Sequence, residues 1–458
     1  MVFLYSCYPW ISEMEGAQDR TDRMDYLTYS NPTRQFVHVV VGSQWGDEGK
    51  GKIVDRLAQK HPLIARCQGG NNAGHTVVRD GKQYFFHLVP SGLLNEKAQV
   101  IIGNGVVVHL PGLFEELDQL ELKGVNWKDR VIVSDRCHLV LDYHQKVDMY
   151  QENRRKEKKL GTTHKGIGPA YVSKIERTGL RVCDLLGDFG EFTEAYKANL
   201  RNLTDAFPEL SFHDYVGELD KLRSLAEKLR PMVRDTVHFI RKAIYEEDKT
   251  LLVEGANALM LDIDFGSYPY VTSSSCTVGG VLSGLGVPFN SICTVTGVSK
   301  VYMTRVGEGP FPTEIIGEVA ERLQSIGHEF GVTTGRKRRV GWFDVLVAKY
   351  GAIINGYTEM ALTKLDVLDN FDEIKIGVSY QVGDKTLTEM PSDPKILKDA
   401  RVNYITLPGW KTSTKAVKKL KDLPDNALEF IFKIEQLIRV KISFVGVGPD
   451  LDDLIRCS

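Results

Sequence analysis

The chain has 458 residues, 42% of them hydrophobic and 26% charged, with a formal net charge of −2 at pH 7. That balance belongs to a globular protein with a large core, and it excludes a global field that would draw the molecule to nucleic acid or an anionic membrane. The 7 cysteines (Cys7, Cys67, Cys137, Cys183, Cys276, Cys293, Cys457) show no C-x-x-C pair and no metal-ligand spacing, so they read as reduced cytosolic thiols.

Residues 1–34 open with an apolar "VFLYSCYPWI", but no basic segment precedes it, and Glu13, Glu15 and Asp19 follow. They read as a poorly ordered extension rather than a signal peptide. No apolar run approaches the roughly 20 residues that span a bilayer. From residue 35 onward strand-like apolar runs alternate with helical periodicity. This predicts one α/β domain (35–458) with a large, mostly parallel sheet flanked by helices, a P-loop-like nucleotide-binding architecture with helical and loop insertions. Strands are predicted at 36–42, 98–108, 130–135, 250–256, 292–302, 360–368 and 441–448. Several end in Gly or a polar residue, as strands do where their carboxyl ends open onto a ligand crevice. Between 210 and 247, Leu219, Leu222, Leu225, Leu229, Val233, Val237 and Ile240 recur at helical steps and predict an amphipathic insertion, scaffold rather than site. The charge run "NRRKEKK" (153–159) reads as a solvated face.

The stretch "VGSQWGDEGKGKIVD" (41–55) lies between the first predicted strand and a helix-periodic segment. Gly46-x-x-x-x-Gly51-Lys52 has the spacing of a P-loop, whose backbone N–H groups and helix N-terminus cradle phosphate. Two features depart from that motif. Ile53 stands where a Ser or Thr hydroxyl would hold Mg²⁺, and Asp47 and Glu48 bring carboxylates into an anion cradle. A plain structural turn is the alternative, but it leaves Lys50 and Lys52 crowded beside three glycines without a reason.

Thr363-Lys364-x-Asp366 ends a predicted strand and is close to the Asn-Lys-x-Asp box of GTP-binding proteins. A carboxylate there accepts the guanine N1–H and exocyclic amine together. Adenine offers an acceptor at N1 and would leave Asp366 unpaired, so the box favours GTP over ATP. Alone the motif is common by chance; with a P-loop-like element upstream it carries weight. "QGGNNAGHT" (68–76) predicts a tight loop displaying His75 at its end, where a single histidine is otherwise more often structural. "GVTTGRKRRVGWFD" (331–344) places Arg336, Lys337, Arg338 and Arg339 between glycines, which suits a loop gripping carboxylate or phosphate better than a solvated basic patch. "LGTTHKGIGPAY" (160–171) and "YPYVTSSSCTVGG" (268–280) are loops able to bind a second phosphate.

Together these segments, with "EGAN", "TRVGEGPFPTE" and "LPGW", resemble the adenylosuccinate synthetases in their animal-type branch, from about Val37 to Asp450. The resemblance implies a GTP-dependent, GDP-forming ligase that joins IMP to L-aspartate through a 6-phosphoryl-IMP intermediate, the first committed step from IMP to AMP. It also implies a cytoplasmic homodimer with Mg²⁺ as cofactor. By the same resemblance Asp47, His75 and Lys50 are catalytic, and Asp47 with the Gly74 carbonyl binds the metal. GTP falls to Gly46, Asp47, Glu48, Gly49, Lys50, Gly51, Lys52, Gly74, His75, Thr76, Arg338, Lys364, Leu365, Asp366, Gly446, Val447 and Gly448. IMP falls to Asp47, Glu48, Gly49, Lys50, Asn72, Ala73, Gly74, His75, Thr163, Arg177, Asn257, Thr272 and Arg336, with Arg177 supplied by the neighbouring subunit. Aspartate falls to Val332, Thr333, Thr334, Gly335, Arg336, Lys337 and Arg338. The chain departs from the family pattern at Asn257 (Gln in bacterial members), His164, Ser275 and Ser267, all small polar changes. A GTPase switch is the competing reading; Ile53 argues against it, and it leaves the Arg-rich loop unexplained. A silent scaffold is disfavoured because Asp47, His75 and Lys50 are all present.

Overall fold

The computed structural model describes residues 36–156, 160–210, 215–331, 335 and 337–457. The extension expected at 1–34 and the end of the charge run (157–159) lie outside the described residues. Ten strands form the central sheet, in the order Leu454–Arg456, Ile442–Gly446, Glu359–Thr363, Ile292–Lys300, Val37–Gly42, Leu251–Ala258, Leu63–Arg66, Gln99–Ile102, Val131–Ser134 and Val233–Arg234. Neighbours run parallel throughout except at the Leu454–Arg456 edge.

Alternation along each strand divides its side chains between two cores. Val37, Val39, Val41, Leu251, Val253 and Met360 pack on one face with Ile240, Val281, Val345 and Ile431. Val40, Leu252 and Ala361 pack on the other with Ile53, Val54, Leu113 and Leu117. A parallel sheet covered on both faces reads in sequence as continuous apolar runs, which is why most of these strands can be predicted. The strand Leu63–Arg66 is missing from the predicted set. Its four residues are too few for period to distinguish strand from helix.

Four predicted elements resolve differently. The strand expected over 292–302 ends at Lys300, and Tyr302 opens a strand of a smaller sheet. The run 98–108 divides into Gln99–Ile102 and Val107–Val108, and the latter pairs away from the main sheet. The strand expected over 360–368 stops at Thr363. Lys364 then takes φ +63, and a single 3₁₀ turn, Leu365–Leu368, follows. The helical insertion is two helices, Tyr215–Leu229 and Thr236–Tyr245, because Pro231 lacks the N–H that a continuous helix needs. A smaller sheet of Tyr302–Arg305, Arg339–Asp344, Glu373–Val382, Lys385–Leu387 and Arg401–Pro408 continues the chain beyond the central strand Ile292–Lys300.

The helix Asp142–Arg154 is tied to the helix Ile167–Glu176 by a buried histidine. His144 Nδ1 accepts the Leu141 N–H at 3.0 Å, and Nε2 lies 3.1 Å from Ser173 Oγ. Burial pushes the His144 pKa down to about 3, and nearby His138 pushes the same way. The unfolded chain takes up this proton below about pH 6.5, while the folded chain resists it until about pH 3. Stability is therefore fully present above about pH 6.5 and is lost as the pH falls through that window. Melting curves from pH 7 to pH 4 should show a falling Tm, and His144→Gln should flatten the fall; an unaltered slope would remove His144 as its cause.

Candidate active site

The loop after the central strand Val37–Gly42 is built around a buried acid. Glu48 is 0% exposed. Its Oε1 accepts the N–H groups of Gln44 (3.1 Å) and Gly46 (2.9 Å), and its Oε2 accepts Lys50 Nζ at 2.7 Å. Burial pushes the Glu48 pKa up, but Lys50, with the amides of Gly46 and of Glu48 itself, outweighs it and holds the carboxyl below its usual range. Glu48 thus fills from within part of the cradle that phosphate alone would fill in an ordinary P-loop. A Cβ on Gly42 would lie 2.6 Å from Glu48 Oε2, so only glycine leaves room for this acid. Gly46 and Gly49 take φ +100 and +81 and turn the chain into the helix Lys50–Ala58. Ile53 faces the core of that helix. Burying such a side chain contributes about 1.5–3 kcal/mol, which accounts for an apolar residue where a metal-binding hydroxyl was sought.

Asp47 stands apart from this packing. It has φ +59, its side chain is 24% exposed, and its Oδ2 lies 2.8 Å from Arg338 Nε. The contact is an ion pair without hydrogen-bond alignment, since that Nε has no aligned acceptor. Arg338 Nη1 donates instead to Glu329 Oε2 at 2.8 Å. Among the described residues no three His, Cys, Asp or Glu side chains converge on a metal position. Mg²⁺ commonly takes one or two carboxylates together with substrate phosphates, so a single accessible carboxylate already facing a cation fits it.

His75 begins a hairpin, His75–Arg79 with Lys82–Phe86, and is buried. Its Nδ1 bonds Glu254 Oε1, and Nε2 lies 3.0 Å from the Ala256 carbonyl. Both ring nitrogens therefore face oxygen atoms, a carboxylate on one side and a backbone carbonyl on the other. Glu254, fully buried in the strand Leu251–Ala258, also accepts the Ser91 N–H (2.7 Å) and Ser91 Oγ (2.8 Å). Burial raises its pKa, but His75 leads the groups that reverse this and leave it low. Glu254 is absent from the residues singled out by sequence; the "EGAN" segment was its one signal.

Of the loops expected to bind a second phosphate, that of 268–280 meets the loop of 68–76. Asn72 Nδ2 lies 3.3 Å from Thr272 Oγ1, joining "GGNNAGHT" to "YPYVTSS". The Ala73 carbonyl accepts His87 Nδ1 at 2.8 Å. Asp262 pins the Thr272 loop by accepting the N–H groups of Asp264 and Phe265, both at 2.9 Å, and of Cys276 at 2.5 Å. Glu152 and Asp148, one turn apart on the helix Asp142–Arg154, accept the N–H groups of Gly161 (2.6 Å) and Gly166 (3.0 Å). They set the bend that carries Thr163 and His164. Asn257 is half-buried with an unpartnered Oδ1. Ser267 accepts the indole N–H of Trp45 at 3.2 Å.

At the next strand ends, Thr363 Oγ1 donates to the Glu48 carbonyl (2.7 Å), which joins the Thr-Lys-x-Asp box to the first loop. Lys364 Nζ donates to the Gly327 carbonyl (2.6 Å) and Glu329 Oε1 (2.7 Å). Burial, with a lesser contribution from Asp369, raises the Asp366 pKa. Lys52 Nζ donates to the Gly448 carbonyl at 2.6 Å, tying the first helix to the turn after Ile442–Gly446, and burial lowers its pKa to about 8. Leu365 and Val447 are buried behind these groups. Arg177 is exposed, in the left-handed conformation at the end of Ile167–Glu176. Val332, Thr333, Thr334 and Arg336 lie outside the described residues; Gly335 and Lys337 flank them and are exposed.

The adenylosuccinate synthetase family model matches residues 39–455. The fully ligated adenylosuccinate synthetase of Plasmodium falciparum is 39% identical, with a TM-score of 0.88 over 93% of this chain and 100% of that one. The succinoaminodeoxyadenylate synthetase of cyanophage S-2L is 19% identical, with a TM-score of 0.59 over 92% of this chain and 95% of that one, a likeness that speaks for the fold alone. The chain belongs to the adenylosuccinate synthetase family, the GDP-forming ligases that use GTP to join IMP and L-aspartate into adenylosuccinate.

Proposed function

We propose that Asp47 serves this ligation twice, as the base that takes the N1 proton of IMP and as the side chain that, with the Gly74 carbonyl, would hold Mg²⁺. The observation that carries the reading is Asp47 itself: an accessible carboxylate at the carboxyl end of the central strand, facing a cation and held in a left-handed turn. Loss of the N1 proton moves negative charge to O6 of IMP. That oxygen attacks the γ-phosphorus, the bond to the β,γ-bridging oxygen breaks, and GDP leaves. The aspartate amine then adds at C6 of 6-phosphoryl-IMP, gives up its proton, and inorganic phosphate departs. Mg²⁺, when bound, offsets phosphate charge during transfer.

His75 is the acid. Its Nε2–H turns from the Ala256 carbonyl to the β,γ-bridging oxygen, where charge collects on the leaving GDP, while Glu254 holds Nδ1. The backbone of Gly46–Lys52, with Thr76, meets the GTP phosphates, and Lys50 adds a charge that Glu48 partly offsets. Asn72, Thr163 and Thr272 take the IMP phosphate, and Asn257, with its unpartnered oxygen, takes the purine. Residues 332–338 take the aspartate carboxylates through Arg336 and Arg338.

Lys364, Leu365, Asp366 and the Gly446–Gly448 turn hold guanine. Asp366→Asn should raise the KM for GTP and relax its preference over ATP by roughly tenfold or more, since a lost or mismatched hydrogen bond to a charged group costs about 1.5–3 kcal/mol. Competition kinetics with both nucleotides measure it, and an unchanged preference would remove Asp366 from base recognition.

We further propose residues 35–458 as one domain of a cytoplasmic homodimer. The six described cysteines are free, and among the described residues no helix is long and apolar enough to cross a membrane. Val172 and Ile175, 54% and 74% exposed, lie on the helix that ends at Arg177 and suit a subunit contact. Arg177 would reach the IMP phosphate of the opposite subunit. Verified heterodimers of Arg177→Ala and Asp47→Asn chains should therefore recover up to about half of wild-type activity, since one of the two sites in each is intact, and an unseparated equal mixture up to about a quarter. Heterodimers as inactive as the parents would exclude a shared site.

A further inference from the structure

Behind the Asp47–Arg338 contact lies a charge hub that no step above uses. Glu329 is fully buried, as are Lys300 and Tyr302. The Glu329 carboxylate accepts Lys364 Nζ at 2.7 Å, Arg338 Nη1 at 2.8 Å, Tyr302 OH at 2.6 Å and Lys300 Nζ at 3.2 Å. One carboxylate thus meets three cations. Burial pushes its pKa up, yet Lys300, Lys364 and Arg338 together hold it far below the usual range. Burial also lowers the Lys300 pKa to about 8. A buried ionic cluster is poor insurance for stability, since apolar residues of the same volume often serve as well or better.

The placement has a direction. Lys364 belongs to the guanine box, and Arg338 faces Asp47. Arg338 is aligned on Glu329 through Nη1 but not on Asp47 through Nε, so Glu329 sets where the guanidinium rests. We propose that Glu329 is a positioning residue coupling the guanine subsite to Asp47: when Lys364 turns to the nucleotide base, Glu329 draws Arg338 toward itself and frees Asp47. The inference rests on the roles given above to Asp47 and Lys364. It makes GTP binding and the readiness of the base mutually dependent, a coupling of two sites through one shared anion.

The test is a double-mutant cycle of Glu329→Gln with Lys364→Met. It is read by calorimetric affinity for GTP without IMP or aspartate, by affinity for IMP, and by kcat. Glu329→Gln should lower kcat by about tenfold, because nothing then draws Arg338 off Asp47. It should tighten GTP binding by about as much, because Lys364 no longer leaves a carboxylate to reach the base. Both shifts lie within the ordinary range of such couplings, with IMP affinity unchanged. In the Lys364→Met background it should add little, because the relay is already cut. Additive effects would overturn the coupling, as would a variant with a lower Tm but wild-type GTP affinity and kcat. Should Glu329→Gln fail to fold, Tyr302→Phe removes one donor without removing charge. About a threefold shift in the same two quantities supports the relay, and none overturns it. Near-normal turnover in Asp47→Asn would instead overturn the base assignment, whatever the cycle shows.

Discussion

Asp47→Asn is expected to lower kcat by roughly three orders of magnitude, within the span assigned to a general base, and more where metal affinity falls with it. An amide cannot take the N1 proton and is a poor ligand for a hard divalent cation. The fold should survive. Stranding a buried charge costs about 3–5 kcal/mol, but Asp47 is partly exposed and Arg338 keeps Glu329 as a partner. A Tm within a few degrees of wild type, beside the collapse in turnover, separates chemistry from unfolding. Rates near wild type would remove Asp47 from both roles.

His75→Ala should lower kcat by about 10²–10³-fold, the contribution of a positioned acid, while IMP affinity changes little. A loss confined to IMP affinity would demote His75 to binding. Glu254→Gln should lower kcat less, because Gln can still accept from Nδ1 but no longer balances the ring's charge. It also leaves the Ser91 N–H facing an amide nitrogen, at about 1–3 kcal/mol of stability. If Glu254 only holds the hairpin, its variant will show the lower Tm with kcat intact. A parallel fall in kcat marks it as the group that orients the acid.

The central strands were legible because their two-sided burial leaves apolar runs ending in glycine or polar residues, as at Val37–Gly42 and Ile442–Gly446. The joint at Pro231 and the end of the strand at Thr363 were not, because periodicity carries through a break that proline or a left-handed Lys364 imposes. At the site, Asp47, His75 and Asn72 lie in glycine-rich loops with a recognisable spacing. Glu254 and Glu329 have no such signature. Each is a single acid in an ordinary segment, and its partners come from positions distant in sequence, 179 residues away for His75 and 35 for Lys364. Glu48 was visible, but its inward turn onto its own loop was not, since only the packed structure shows that Gly42 leaves the space.

The central claim, that Asp47 makes O6 of IMP a nucleophile toward GTP before aspartate enters, is tested most directly by positional isotope exchange. GTP labelled with ¹⁸O in the β,γ-bridge is incubated with enzyme, Mg²⁺ and IMP but no aspartate, and the label's migration into the β-non-bridging oxygens is followed. Migration that requires IMP and disappears in Asp47→Asn is the predicted result. Migration that persists undiminished in Asp47→Asn, or that wild type performs equally without IMP, would contradict it.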